Sequence, residues 1–345
     1  MTQAPLEHSL ARASLRIAIA SVLYLVALFL LSLVLVFWMS SMPGKAVPDR
    51  AIVPDTMLSQ ALEAHVKELA GERNTVHAAS LDRAARYIER QLAAMGYEVQ
   101  SQWFETAGIR VRNLYVIVPA REETAGIIVV GAHYDSSHVT PGADDNASGT
   151  ASLLEIARAM KRLPADSPQP GKALHLVFFT NEEPPYFRTQ EMGSYRYAES
   201  LKRRSVSVAA MLSLEMLGFY CDAPGCQRYP FPLSIAFPDR GNFIGFVGNL
   251  DSRELTRQIT GLFRSHATIP SEGVAAPAFI QGVDYSDQLW FWSFGYPAVM
   301  VTDTSFMRNP HYHKPSDTPE TLDYVRMGAV VKGLSSTIAD RARIP

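Results

Sequence analysis

The stretch 126-GIIVVGAHYDSSHVTPGADDNASGTASLLEIARAMKRL-163 changes character twice. Residues 126–132 form a continuous apolar run. The loop 131–149 then gathers two histidines (His133, His138) and three aspartates (Asp135, Asp144, Asp145). From Thr150 to Leu163 apolar residues return at helical spacing. An apolar strand, a polar loop and a helix make a βα unit whose strand is covered on both faces. A loop so rich in imidazole and carboxylate, at the end of a buried strand, raises the question of what charged species it holds.

The same alternation extends outward. Strand-like runs stand at 113-NLYVIVP-119, 174-LHLVFFT-180, 207-SVAAMLSLE-215 and 297-PAVMVT-302, with helical segments at 192–203 and 253–265 between them. Residues 56–70 and 80–95 also carry helical periodicity. In the second, Leu81, Ala84, Ala85, Ile88, Leu92 and Met95 form one face, Ser80 is the expected cap and Gly96 the stop. A last helix is expected from Thr318, with Pro319 at its first position. Buried strands alternating with helices predict an α/β fold, with a mixed, mostly parallel central sheet and helices on both faces.

The N-terminus differs in kind. Ile17–Met39 is 23 residues without a charge, and a bilayer needs about 20. The run is longer than a signal-peptide core and lacks an A-x-A site after it, so residues 17–40 read as a retained membrane anchor. Arg12 and Arg16 precede it and Lys45 follows, which places residues 1–16 in the cytoplasm. That puts the rest on the periplasmic or extracellular side of the inner membrane. Residues 41–55, with three prolines and a glycine, read as a linker, and residues 56–345 as one domain. The net charge of −2 and the absence of a basic patch with interleaved aromatics argue against a nucleic-acid partner. Cys221 and Cys226 are too few for a thiolate zinc site or a disulfide framework. In CDAPGC they are either a local disulfide or two free thiols.

Polar residues collect where the apolar runs end. His133 and Asp135 follow the first run, Glu182 and Glu183 the second, and Glu215 closes the third. Ligands of open α/β sheets bind beyond the carboxyl ends of the strands. Asp144 and Asp145 precede the helix at 150, and 309-NPHYHKPSDT-318 follows the run 297–302. Each piece alone is ordinary: His-x-Asp is usually a surface loop, and Asp-Asp-Asn a turn or cap. Together they converge on one rim. Imidazole and carboxylate suit zinc, manganese or cobalt, and clustered carboxylates need a cation to offset their repulsion. Two such ions make a hydrolytic centre. The residues leave His311 and His313 both open as the last ligand.

From about residue 56 to 335 the chain resembles the M28 family of zinc metallopeptidases, which includes bacterial aminopeptidases. The resemblance rests on GAHYDS at 131–136, GADDNASG at 142–149, TNEEPP at 180–185, SLEMLG at 213–218, SDQLWFWSFGYPAVMVTDT at 286–304 and PHYHKPSDTPETLD at 310–323. It implies a zinc-dependent exopeptidase fold, two zinc ions and a peptide substrate. It further implies His133, Asp145, Glu183, Glu215 and His313 as metal ligands, with Asp145 bridging and Asp144 as its alternative. Glu182 would be the general base toward a metal-activated water, Tyr312 a donor to the oxyanion, and Asp135 the partner that orients His133. Two positions depart from the pattern: Glu215 stands where Asp is usual, and Gln288 where many relatives have His. Tyr220, Tyr229, Phe231 and Phe237 in 219–245 are candidates to line a substrate pocket, or to pack within a surface insertion.

Two other readings share this fold. A glutaminyl cyclase-like enzyme would use one zinc, and a transferrin-receptor-like ectodomain would bind without catalysis. The second predicts missing ligands, and none is missing. No G-x-S-x-G or H-E-x-x-H occurs, which sets aside serine hydrolases and helix-borne zincins. Oligomeric state is not fixed by the sequence.

Overall fold

In the computed structural model, residues 4–120, 126–162 and 171–343 are described. Among these residues, helix α1 (Ala4–Ser40) precedes eight strands and seven further α-helices. The strands are β1 (Gln100–Thr106), β2 (Ile109–Val118), β3 (Ile127–His133), β4 (Ala173–Phe179), β5 (Val208–Glu215), β6 (Ile244–Gly248), β7 (Ser271–Ala275) and β8 (Ala298–Thr302). They form one sheet in the order β1-β2-β4-β3-β5-β8-β6-β7. Four of the seven pairings are parallel: β3 with β4 and with β5, β5 with β8, and β6 with β7. The mixed, mostly parallel sheet expected from the sequence is present.

Alternation along the strands sends side chains to two cores. Ile128, Val130, Leu176, Leu212, Leu214, Val299 and Val301 meet α2 (Thr56–Leu69), α3 (Ala78–Ala94), α4 (Gly149–Lys161), α6 (Arg253–His266) and α8 (Tyr324–Arg343). Val129, Val177, Phe179, Met211 and Ala298 face the other way, onto Tyr197 and Leu201 of α5 (Gly193–Arg203) and Phe291 of α7 (Gln288–Ser293). Strands β3, β4 and β5 are therefore apolar apart from His175, Ser213 and the terminal His133 and Glu215.

The expected boundaries hold within a few residues, with two corrections. Ser80 is not a cap: α3 begins at Ala78, behind a short turn that Asn74 caps by accepting from the N–H groups of Val76 and His77. The last helix does not begin at Thr318. Pro319–Thr321 is one 3-10 turn, and Asp323 starts α8 by accepting from the N–H groups of Val325 and Arg326. Residue 163, the expected end of the helix at 150, lies outside the described residues. Strands β1, β6 and β7 and helix α7 were not expected.

Helix α1 holds an apolar span, Leu15–Ser40, that is 6% buried, and so is a candidate membrane anchor. The residues after it are not loose. Arg253 donates to Trp38 O and stacks on its ring, Arg257 donates to Ser41 O, and Arg264 Nη1 reaches the carbonyls of Met42, Pro43 and Gly44. Ser271 N donates to Ala46 O. Helix α6 and the edge strand β7 thus seat residues 38–46. Cys221 and Cys226 form a disulfide.

Candidate metal centre

Four adjacent strands, β4, β3, β5 and β8, end on the same rim, and each hands its polar residues to one point. His133 closes β3 with no exposed surface. Its Nε2 lies 3.4 Å from Asp145 Oδ1 and 3.2 Å from Glu215 Oε2. His313 Nε2 lies 3.1 Å from Asp145 Oδ2 and 3.2 Å from Glu183 Oε2. The two oxygens of Asp145 thus face different imidazoles. Two groups of donor atoms result, His133–Asp145–Glu215 and Asp145–Glu183–His313, each with its atoms within 4.8 Å of one another. Glu182 belongs to neither. Its Oε2 stands 3.9 Å from His133 Nε2.

The loops carrying these groups are held by a repeated device. Asp135 accepts from the backbone N–H groups of Glu182 and Glu183, at 3.2 and 3.1 Å. Asp317 accepts from the N–H groups of Asp144 and Asp145, at 2.9 and 3.1 Å. Each carboxylate fixes two successive residues of a ligand loop from behind. Asp135 Oδ1 is also 3.4 Å from His133 Nδ1. Asn146 locks its loop to β5 by donating to Leu214 O and accepting from Gly149 N and Met216 N. Arg73 is fully buried and donates to the carbonyls of Tyr134, Gly71, Pro141 and Gly142. Burial lowers its pKa to about 10, against the pull of Asp135 and Asp317.

Asp144, the alternative bridging residue, turns away. It accepts from Gly218 N and Asn309 Nδ2 and lies next to Asp303. His311 bonds Ser316 Oγ and is in neither group. Gln288 spends its amide on Val283 O and Met300 Sδ. Glu215, one methylene longer than Asp, is fixed by the Ser286 hydroxyl at 2.7 Å, and Ser286 in turn meets Ser213. Tyr312 stacks on His313, ring centroids 3.9 Å apart. Burial, then the charges of Asp145, Glu183, Glu182 and Glu215, raise its phenol pKa.

The electrostatics are those of a site built around positive charge. Burial raises Glu183 to about 8, helped by Asp145 and opposed by His313. Burial and the neighbouring Glu215 and Glu183 lift Glu182 despite His133. Burial would lower His133 and His313, yet the carboxylates around them outweigh it and raise both, His313 to about 10. Neither ring nitrogen of His133, nor Glu183 Oε1, has a hydrogen-bond partner among the described residues. Buried donor atoms left unpaired, in sets of one imidazole and two carboxylates, fit zinc.

Peptidase family M28 matches residues 113–338. This chain belongs to that family. It is similar to the uncharacterized protein YfbL of Escherichia coli strain K12, 37% identical over 323 residues, 89% of this chain and 94% of that one. Leucine aminopeptidases are matched at 26–28% identity, and the chain spans about half their length. In structure it is similar to the LapA aminopeptidase of Legionella pneumophila, with a TM-score of 0.63 at 20% identity over 85% of this chain and 73% of that one. Porphyromonas gingivalis glutaminyl cyclase gives 0.58 at 18% identity, over 82% and 98%. At these identities the structural likeness is one of fold. Family and relatives support a hydrolase of the metallopeptidase type, with zinc the expected metal.

Sequence reasoning missed three parts of this M28 site. Asp317 was visible only as the Asp of an Asp-Thr pair, and its grip on the Asp144–Asp145 backbone had no signal. Arg73 lies far from every motif. The pocket loop was half legible: Tyr229 and Phe237 line a cleft beside Glu215, but Phe231 is exposed and Tyr220 packs against Arg308 and Arg326.

Proposed function

We propose that the chain is a zinc-dependent aminopeptidase that removes N-terminal residues from peptides, with Glu182 as general base. The observation that carries this is Asp145, whose two oxygens serve two complete donor groups while Glu182 stands beside both and belongs to neither. His133 and Glu215 would hold one ion, Glu183 and His313 the other, and Asp145 both. When bound, zinc supplies Lewis acidity toward the scissile carbonyl and toward water. Glu182 Oε2 takes the proton from the attacking water and passes it to the leaving amine. Asp135, through the N–H groups of Glu182 and Glu183, sets where that carboxylate stands, and it flanks His133 Nδ1. The Tyr312 hydroxyl donates to the oxygen that gains charge as the carbonyl is attacked.

Helix α1 anchors the enzyme, with residues 1–16 in the cytoplasm and the domain on the far side of the membrane. Arg12 and Arg16 before the span support that sidedness, as does the Cys221–Cys226 disulfide, which belongs in an oxidising compartment.

The test uses full-length protein in detergent micelles. Zinc content is measured, then hydrolysis of aminoacyl-anilides with and without chelator, and ammonia release from a peptide with N-terminal glutamine. Two zinc ions per chain, with chelator-sensitive cleavage restored by zinc, is the expected result. One zinc with ammonia release would instead assign a cyclase, the second reading that the fold permits. No bound metal would leave a binding ectodomain.

A further inference from the structure

One carboxylate beside the metal rim takes no part in holding metal or moving protons. A cleft opens against Glu215, walled by Tyr229, Leu233, Phe243, Met300 and Phe306. The same cleft is lined by Glu272 of β7. The strand register relates the two acids directly. Glu215 pairs with Thr302, Thr302 with Gly245, and Gly245 with Glu272. Residues opposite one another in a sheet project to the same face. Glu215 and Glu272 therefore stand at the two ends of one row across β5, β8, β6 and β7, roughly 14 Å apart at the backbone by strand spacing. Between them are Thr302 and Gly245, so a small side chain and none at all leave the row open. Helices α5 and α7 cover this face at β3 to β5. Over β6 and β7 it is met by the segments 229–237 and 281–285 instead.

Glu272 is poorly satisfied where it stands. Its side chain is 23% exposed, and among the described residues it accepts no hydrogen bond. The nearest cation, Arg264, comes no closer than 3.8 Å. The N–H groups of Arg264 are occupied by Ser271 O, Ser271 Oγ and the carbonyls of Met42, Pro43 and Gly44. Arg264 tempers the charge of Glu272 without satisfying the carboxylate.

We propose that Glu272 makes this cleft selective for peptides whose N-terminal residue is lysine or arginine. The proposal rests on the aminopeptidase reading of the rim. With the scissile bond at Glu215, the aliphatic stem of such a residue lies along the apolar walls, and its cationic head reaches Glu272. A leucine side chain fills the near half of the row and leaves the carboxylate with only Arg264, at 3.8 Å. A site built around a polar partner discriminates against substrates that lack it.

The test compares full-length, zinc-loaded wild type with Glu272→Gln in detergent micelles. It reads kcat/KM for the arginine, lysine, leucine and methionine p-nitroanilides. Arginine and lysine should exceed leucine about tenfold or more, mainly through KM, and the substitution should lower the arginine-to-leucine ratio about tenfold. Leucine cleaved as well as arginine, with a ratio that Glu272→Gln leaves unmoved, overturns the assignment of Glu272 and leaves the aminopeptidase intact. If Glu272→Gln does not fold, the wild-type ratio decides, and a value near or below one overturns the proposal. If no anilide is cleaved, the aminopeptidase reading falls, and calorimetric titration with L-arginine and L-leucine decides the cleft alone. Preferential arginine binding that Glu272→Gln abolishes sustains it; equal binding overturns it.

Discussion

Strands β3, β4, β5 and β8 and strands β6 and β7 share one sheet but are built to different rules. The first four run between helices on both faces, and three of them, β3, β4 and β5, deliver His133, Glu182, Glu183 and Glu215 at or just past their carboxyl ends. Strands β6 and β7 are five residues each, hold Gly245, Gly248 and Gly273 between them, and have a helix on one face only. The candidate metal rim therefore grows from strands packed on both faces, and the cleft from a sparsely filled edge. Ligands that must stay within a few tenths of an ångström of one another belong on the first kind of support. Side chains that tune a preference can stand on the second.

The sharpest way to break this contrast is Glu182→Gln. It should lower kcat by about 10²–10⁴-fold and leave zinc content unchanged, because Glu182 lies outside both donor groups. Lost zinc would make Glu182 a ligand. Next, Asp317→Asn and Asp135→Asn should each weaken zinc affinity by about 10–100-fold, read by competition with a chelator. Equal effects would show the two loop clamps to be equivalent supports of the rim.

A pH measurement extends the comparison to stability. Burial in the β4 face, where His175 meets the Tyr197 hydroxyl at 2.7 Å, lowers its pKa to about 4, with Arg204 adding to the shift. The fold thus favours neutral His175. That contribution is fully present above the unfolded value of about 6.5. It is lost as pH falls through about 4, amounting to on the order of 2–3 kcal/mol. Melting temperature should fall across that window, and His175→Phe should flatten the dependence. The smallest effect is expected at the edge. Arg257→Ala should cost about 1 kcal/mol and speed proteolysis within residues 41–55, with zinc content unchanged.

The same division explains what could be read from the sequence. Strands buried on both faces leave continuous apolar runs, and GIIVVGA and LHLVFF announce themselves. IGFVG and SEGVA are short, glycine-bearing and half covered, so neither run length nor period marks them. The rim was legible because the strand ends point at it; the resemblance, not spacing, singled out His133, Asp145, Glu183, Glu215 and His313, which the structure brings together there. The support behind them was not legible. Arg73 and Asp317 act on backbone groups, which carry no sequence signal; Asp135 was expected beside His133, but its hold on the N–H groups of Glu182 and Glu183 was not. The aromatic loop illustrates the limit: nothing in RYPFP shows that Tyr229 turns inward and Phe231 outward.

The arginines of α6 bear on more than packing. A free chain as long as residues 41–55 would let a tethered domain wander roughly 20 Å. Instead, Arg253, Arg257 and Arg264 grip the chain from Trp38 to Gly44, directly where the apolar helix ends. On the anchored reading, the bilayer and the cleft then keep a fixed standoff and tilt. Such an enzyme meets chain ends at one height above the lipid, so a substrate's reach from the surface would count alongside its first residue.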